Sequence, residues 1–175
     1  MIAEQGPSCD TNERFSLLVS RYQRQLLNMC AVYLHDGAAA EDAVQETFLK
    51  AYRTLPKFRG ECSEKTWLMR IALNTCRDMT RSAWFRHTDK RITPDQLQLP
   101  SHQPLYDDEG EALVQAIGQL PEKYKNALML YYYQDMSLEE AAAVLHASPS
   151  AVSKWLKQAR KLLRDHLEGG QNDEG

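Results

Sequence analysis

Ser137-Leu138-Glu139-Glu140-Ala141-Ala142-Ala143-Val144-Leu145-His146-Ala147-Ser148-Pro149-Ser150-Ala151-Val152-Ser153-Lys154-Trp155-Leu156 decides the fold of the C-terminal part of the chain. Ser137 and Glu140 have the spacing of a capping box, in which the hydroxyl accepts from the backbone N–H three residues on and the carboxylate reaches back. Leu138, Ala141, Ala142 and Leu145 then give a short helix with one apolar face. His146-Ala147 makes the turn. Ser148 restarts the chain as an N-cap, with Pro149 at the first helical position, where its missing N–H does no harm. Val152, Leu156, Ala159 and Leu163 continue as the buried stripe of a longer helix. Two short helices, a tight turn and a small residue at Ala142 allow the close crossing of a helix-turn-helix. The outward face of the second helix carries Ser150, Ser153, Lys154, Lys157, Gln158, Lys161 and Arg164. With Ser148, these side chains suit phosphates and base edges. The competing reading is an ordinary helical hairpin with solvated lysines.

Working outward, the same periodicity makes the chain all-α. Residues 13–35 repeat apolar groups at Phe15, Leu18, Tyr22, Leu26, Met29, Cys30 and Tyr33 until Asp36-Gly37 breaks the pattern. A second helix is expected over about 38–55, with Val44, Phe48, Ala51, Tyr52 and Leu55 on one face and Asp42, Gln45, Glu46, Leu49 and Arg53 on the other; Pro56 closes it. After a connection over 57–63, a third helix over 64–82 offers Trp67, Leu68, Ile71, Ala72, Thr75 and Met79 for packing. Residues 92–111 read as a flexible linker, since Pro94, Pro100, Pro104 and Gly110 sit among acidic and polar residues with little to bury. Residues 112–120 and 123–133 are expected to be helical ahead of the helix-turn-helix. The fold class is therefore two small helical domains, over 10–91 and 112–168, joined by the 92–111 linker.

The charge is distributed to match. The 175 residues sum to −3. Resolved by segment, 1–49 carries three basic and seven acidic residues, 50–91 eleven and four, 92–122 none and six, and 123–175 seven of each. A +7 block beside a −6 block points to a polyanion partner for one part of the chain, although the total argues against one. No apolar run approaches the ~18 residues of a membrane span. The first 25 residues lack a basic segment followed by an apolar one, so no secretory signal and a cytoplasmic location are expected. Cys9, Cys30, Cys62 and Cys76 have no zinc-site spacing, and reduced thiols are expected, with no metal and no cofactor. No Gly-rich phosphate loop, HExxH or GxSxG occurs, which argues against an enzyme.

One constellation joins the basic block to the helix-turn-helix. Asp42-Ala-Val-Gln-Glu-Thr-Phe-Leu-Lys-Ala-Tyr-Arg is followed by Phe58-Arg59-Gly60 and then by Thr66-Trp67-Leu68-Met69-Arg70-Ile71-Ala72-Leu73-Asn74. This order closely resembles region 2 of bacterial sigma factors of the extracytoplasmic-function (ECF) group, within the sigma-70 family. The segment from Leu120-Pro121 to Leu167 resembles region 4 of the same family. The resemblance implies a dissociable subunit that directs RNA polymerase core to promoters. The polar face Asp42, Gln45, Glu46, Leu49 and Arg53 would meet the coiled coil of the polymerase β′ subunit, and region 4 the β flap.

The resemblance also gives the basic block a task. Opening the −10 element costs unstacking, and the exposed strand must be held by cations and aromatic faces. It implies that Thr54, Phe58 and Asn74 line a pocket for a flipped base. Lys50, Arg53, Arg59, Lys65, Arg70 and Arg77 are the phosphate candidates, and Trp67 either stacks on a base or packs in its own core. The −35 element would be read by Ser148, Ser150, Ser153, Lys154, Lys157, Gln158 and Lys161. Here the chain departs from the family: Trp155 and Gln158 stand where arginines are common, and bidentate pairing that lysine cannot reproduce is absent. An anti-sigma factor, often membrane-bound, is the further partner the resemblance implies. The alternatives are a helix-turn-helix transcription regulator and a helical interaction protein with no DNA role.

Overall fold

The computed structural model describes residues 9–89 and 108–169, with side chains over 10–83 and 110–169. Most of the expected linker, 92–107, lies outside the described residues. Helix α1 spans Cys9–Leu34, α2 Gly37–Thr54 and α3 Glu64–Asp89, with a 3-10 turn at Leu55–Lys57. In the C-terminal part, α4 spans Asp108–Gly118, α5 Glu122–Leu128, α6 Leu138–Leu145 and α7 Pro149–Gly169. The described residues contain no strand.

The first unit follows the expected stripes. Leu18, Tyr22, Leu26, Met29, Cys30 and Tyr33 of α1 are buried, as are Val44, Phe48 and Ala51 of α2 and Leu55 after it. Burial of each large side chain of this kind contributes roughly 1.5–3 kcal/mol. Asp36 caps α2, its carboxylate accepting from the Ala39 N–H at 3.0 Å. The chain between α1 and α2 turns on His35, whose φ of 54° places it in the left-handed region. Pro56 sits inside the 3-10 turn, where its fixed φ is tolerated.

Two expected boundaries move. Helix α3 continues past residue 82 to Asp89, and α4 begins at Asp108, inside the expected linker. Helix α4 opens on Asp108 and Glu109. The acidic composition that read as linker thus belongs in part to a helix start. Helix α5 widens into a π turn at Met129–Tyr133, closed by the Met136 N–H donating to the Leu130 carbonyl at 3.2 Å. The widening keeps Met129 and Leu130 inside while leaving Tyr131 and Tyr132 exposed.

The helix-turn-helix is built as the residues dictate. Both bonds of the Ser137–Glu140 capping box form, at 2.8 and 3.1 Å. His146, in the left-handed region at φ 52°, ends α6, and the Ser148 hydroxyl accepts from the Ala151 N–H at 3.2 Å to start α7. Ala142 is buried at the crossing, against a stripe of Val152, Leu156 and Ala159; Leu163 is only half-buried.

The two units also pack on each other. Helix α1 touches α4 and the π turn, and α3 touches α6. Met69 and Leu73 of α3 are buried too, and Leu73 lines the cavity between the units. The core is one continuous cluster running from Leu18 to Ala159.

Candidate nucleic-acid interface

Four of the five residues on the outer face of α2 stand clear of the core. Asp42, Gln45, Leu49 and Arg53 are exposed and Glu46 is half-buried; Leu49 shows 50% of its surface. Glu46 pairs with Lys50 at 3.7 Å one helical turn on. Lys50 also donates to the Thr75 hydroxyl at 3.2 Å, so it looks into the groove between α2 and α3.

A second cluster forms where the 3-10 turn meets the start of α3. Thr54, Phe58, Arg59, Trp67 and Arg70 line one open cavity of about 380 Å³, with Lys57, Glu61 and Cys62. The Phe58 and Trp67 rings lie 5.0 Å apart, tilted by 36°, and the Arg14 guanidinium sits 5.4 Å over Phe58. Trp67 is half-buried, so it both packs on the core and offers an edge to the cavity. Gly60, at φ 72°, provides the left-handed step of the loop that carries Arg59. Aromatic faces beside guanidinium groups suit unstacked bases and their phosphates.

Asn74 is not brought into this cavity. It lies farther along α3, accepts from the Arg77 guanidinium at 2.9 Å, and lines a different cavity between the two units. Of the three residues expected together, Thr54 and Phe58 line this cavity and Asn74 lies apart from them. The reason is helical rise: Asn74 is seven residues, or about 10 Å, beyond Trp67. Lys50, in its own groove, is likewise apart from the aromatic pair.

Lys65, Arg70 and Arg77 are only half-exposed, because the second unit covers them. Lys65 donates to the Gln134 carbonyl, Arg70 donates to the Ala143 carbonyl at 2.7 Å, and Arg77 lies 3.8 Å from Glu122. Periodicity gave no sign of this, since their partners are 45 to 73 residues away in the chain. Residues missed altogether from the sequence are Gln134, buried with its amide donating to the Gln25 carbonyl at 3.0 Å, and Lys125, 4.3 Å over the Tyr33 ring. Burial pulls the Lys125 amine below the usual lysine range and pushes the Tyr33 phenol up.

On α7, Ser148, Ser150, Ser153, Lys154, Lys157, Gln158 and Lys161 are all exposed on the outer side. Their carrier helix is anchored by the buried stripe, so they are presented rigidly. Trp155 is half-buried and lines the cavity between the units, about 350 Å³, rather than the outer face. Cys30 and Cys76 are buried free thiols with their sulfurs 3.5 Å apart. The hydrogen bond between them, together with burial, pushes the Cys30 thiol far up. Among the described residues no cluster of metal-ligating side chains occurs, and no helix is long and apolar enough to cross a membrane.

A three-helix unit carries the aromatic-cationic cavity, and a helix-turn-helix with a polar outer face follows it. Residues 18–86 match the family Sigma-70 region 2, and residues 110–163 match Sigma-70, region 4. The chain is 32% identical over 166 residues to RNA polymerase sigma-H factor of Pseudomonas aeruginosa, covering 88% of this chain and 86% of that one. It is 28% identical to ECF RNA polymerase sigma-E factor of Escherichia coli, over 88% and 86% of the two chains. Among solved structures, CnrH in complex with the cytosolic domain of CnrY superposes with a TM-score of 0.68 at 25% identity, covering 90% of each chain. RpoE of Bartonella quintana, solved with the anti-sigma factor NepR, shares the fold with a TM-score of 0.71 at 21% identity, over 89% and 98% of the chains. The chain belongs to the sigma-70 family, in its ECF group. It is a transcription initiation factor that works with RNA polymerase core at promoters and is not itself an enzyme.

Proposed function

We propose that the two units divide promoter recognition between them: residues 10–91 bind core and open the −10 element, and residues 112–168 read the −35 element. The observation that carries this reading is the cavity in which Phe58 and Trp67 stand beside Arg59 and Arg70. An extruded base gains stacking on such faces, about 1–3 kcal/mol per base, while the guanidinium groups hold its phosphates. Asp42, Gln45, Glu46, Leu49 and Arg53 dock the β′ coiled coil, and the helix-turn-helix unit meets the β flap. Lys50, Thr54, Lys65, Asn74 and Arg77 extend the −10 surface along α2 and α3. Ser148, Ser150, Ser153, Lys154, Lys157, Gln158 and Lys161 form the −35 surface of α7. Trp155, turned away from that surface, takes no part in reading, so −35 preference differs from that of relatives with arginine there.

The protein works in the cytoplasm, under the control of an anti-sigma factor. The solved RpoE–NepR complex supports that control, because its sigma chain has the same fold. Core polymerase reconstituted with the purified chain and run on a genomic fragment library tests the reading. Promoter-specific transcripts are expected, and Phe58→Ala should abolish opening while leaving core binding intact. An active polymerase that yields no specific transcript with this chain overturns it.

A further inference from the structure

The cavity of about 350 Å³ between the two units has a cationic wall. Arg70, Asn74 and Arg77 stand at i, i+4 and i+7 of α3, which puts them along one face of that helix. Lys123 and Asn126 reach the same cavity from α5, and Trp155 reaches it from α7. Three cations against one acid, Glu122, give the lining a net charge of +2 with His146 neutral.

Some polar groups of this wall are left over. Arg70 uses one terminal N–H on the Ala143 carbonyl, at 2.7 Å, and Arg77 uses one on the Asn74 amide oxygen, at 2.9 Å. The Nε–H groups of both guanidiniums and the amide oxygen of Asn126 are buried with no hydrogen-bond partner among the described residues. Folded proteins rarely leave such groups unpaired, because each has given up its hydration. Glu122 does not answer the need: it lies 3.8 Å from a terminal nitrogen of Arg77 and is itself exposed.

Two unpaired guanidinium donors call for an oxyanion, and planar guanidinium groups suit phosphate oxygens above all. The unpaired Asn126 oxygen calls for a donor, which a phosphate dianion lacks and a ribose hydroxyl or a base amino group supplies. The rest of the wall is apolar, with Leu73, Val144 and the indole of Trp155, and a planar ring gains from stacking on an indole. The volume falls within the range of about 300–1,000 Å³ usual for small-molecule sites.

We propose that this cavity binds a mononucleotide, with its phosphate on Arg70, Arg77 and Lys123, a hydroxyl or amino group on Asn126, and its base against Trp155. The site is separate from the Phe58–Trp67 cavity, with which it shares Arg70 alone.

The test titrates the full chain with AMP, ADP, GMP and GDP by isothermal titration calorimetry, beside inorganic phosphate, adenosine and guanosine. One-to-one binding of at least one nucleotide is expected, about tenfold or more tighter than phosphate or the matching nucleoside. Lys123→Gln and Arg77→Gln should each weaken it about tenfold, the loss of one charge-assisted bond. Trp155→Leu should weaken the nucleotide and leave phosphate unchanged. Arg24→Gln, exposed on α1 and outside the cavity, removes the same charge and should change nothing. Circular dichroism checks folding; where Arg77→Gln does not fold, Lys123→Gln decides, because its side chain is exposed. No binding at millimolar nucleotide overturns the proposal, and so does phosphate that binds as tightly as every nucleotide. An equal loss in Arg24→Gln reveals general charge attraction and overturns it too. Binding that is lost in Phe58→Ala but kept in Lys123→Gln and Trp155→Leu places the ligand in the aromatic cavity instead and overturns the assignment to this site.

Discussion

Ser137 shows how much a single side chain settles. Its hydroxyl and the Glu140 carboxylate satisfy two backbone donors at the start of α6, both of which have no helical partner. Ser137→Ala should therefore cost about 1 kcal/mol, read as a lower urea midpoint with an unchanged slope. Ala142 works by being small. Because it is buried where α6 crosses α7, Ala142→Leu should destabilise by about 1–3 kcal/mol in the same assay and spoil the angle at which α7 is presented. The thiols divide by environment rather than by spacing. Cys62 is half-exposed, while Cys30 and Cys76 are buried with Cys30 held protonated. Alkylation of the native chain by iodoacetamide should spare Cys30 and Cys76 and reach them only after denaturation.

At the scale of elements, each functional helix has one face committed to the core and one left over. On α2 the spare face carries Asp42 and Glu46 around exposed Leu49. Charge reversal of Asp42 and Glu46 should weaken core binding tenfold or more, with thermal stability nearly unchanged, because the surface ion pair that Glu46 makes with Lys50 is worth about 0–1 kcal/mol. On α7 the spare face carries Lys154 and Lys157. Lys154→Ala with Lys157→Ala should weaken binding to −35 duplex DNA and reduce the salt slope by about 0.9 for each phosphate that is no longer neutralised. Helix α3 differs from both: it packs on α1 and α2 and also on α6, with Leu73 lining the cavity between the units. That double cover is why its arginines make internal bonds.

For the molecule as a whole, the seam between the units joins what the amino-acid order keeps far apart. Tyr33 and Lys125, Gln25 and Gln134, Arg70 and Ala143 meet across it. Trp155 is the natural reporter, since it lines the seam cavity. In a chain with Trp67 and Trp84 replaced by phenylalanine, its emission should shift to the red as urea unfolds the chain, because the indole passes from a half-buried to a wetter setting.

The order of residues by itself determined the helices, the caps of α6 and α7, the stripes that go inside, and the family, because each of these depends on groups within a few residues of one another or on a local run such as Asp42–Phe48. It misplaced the start of α4, since acids that favour a helix N-terminus also favour a solvated linker. Only the tertiary structure decided which outward residues are free. Lys65, Arg70 and Arg77 are charged helix residues like the open lysines of α7, yet they are covered, and Asn74 and Trp155 line the cavity between the units. The physical reason is that a charged side chain on a helix carries no local mark of its neighbour. Whether it meets water, phosphate or a carbonyl dozens of residues away is settled by how the two units pack.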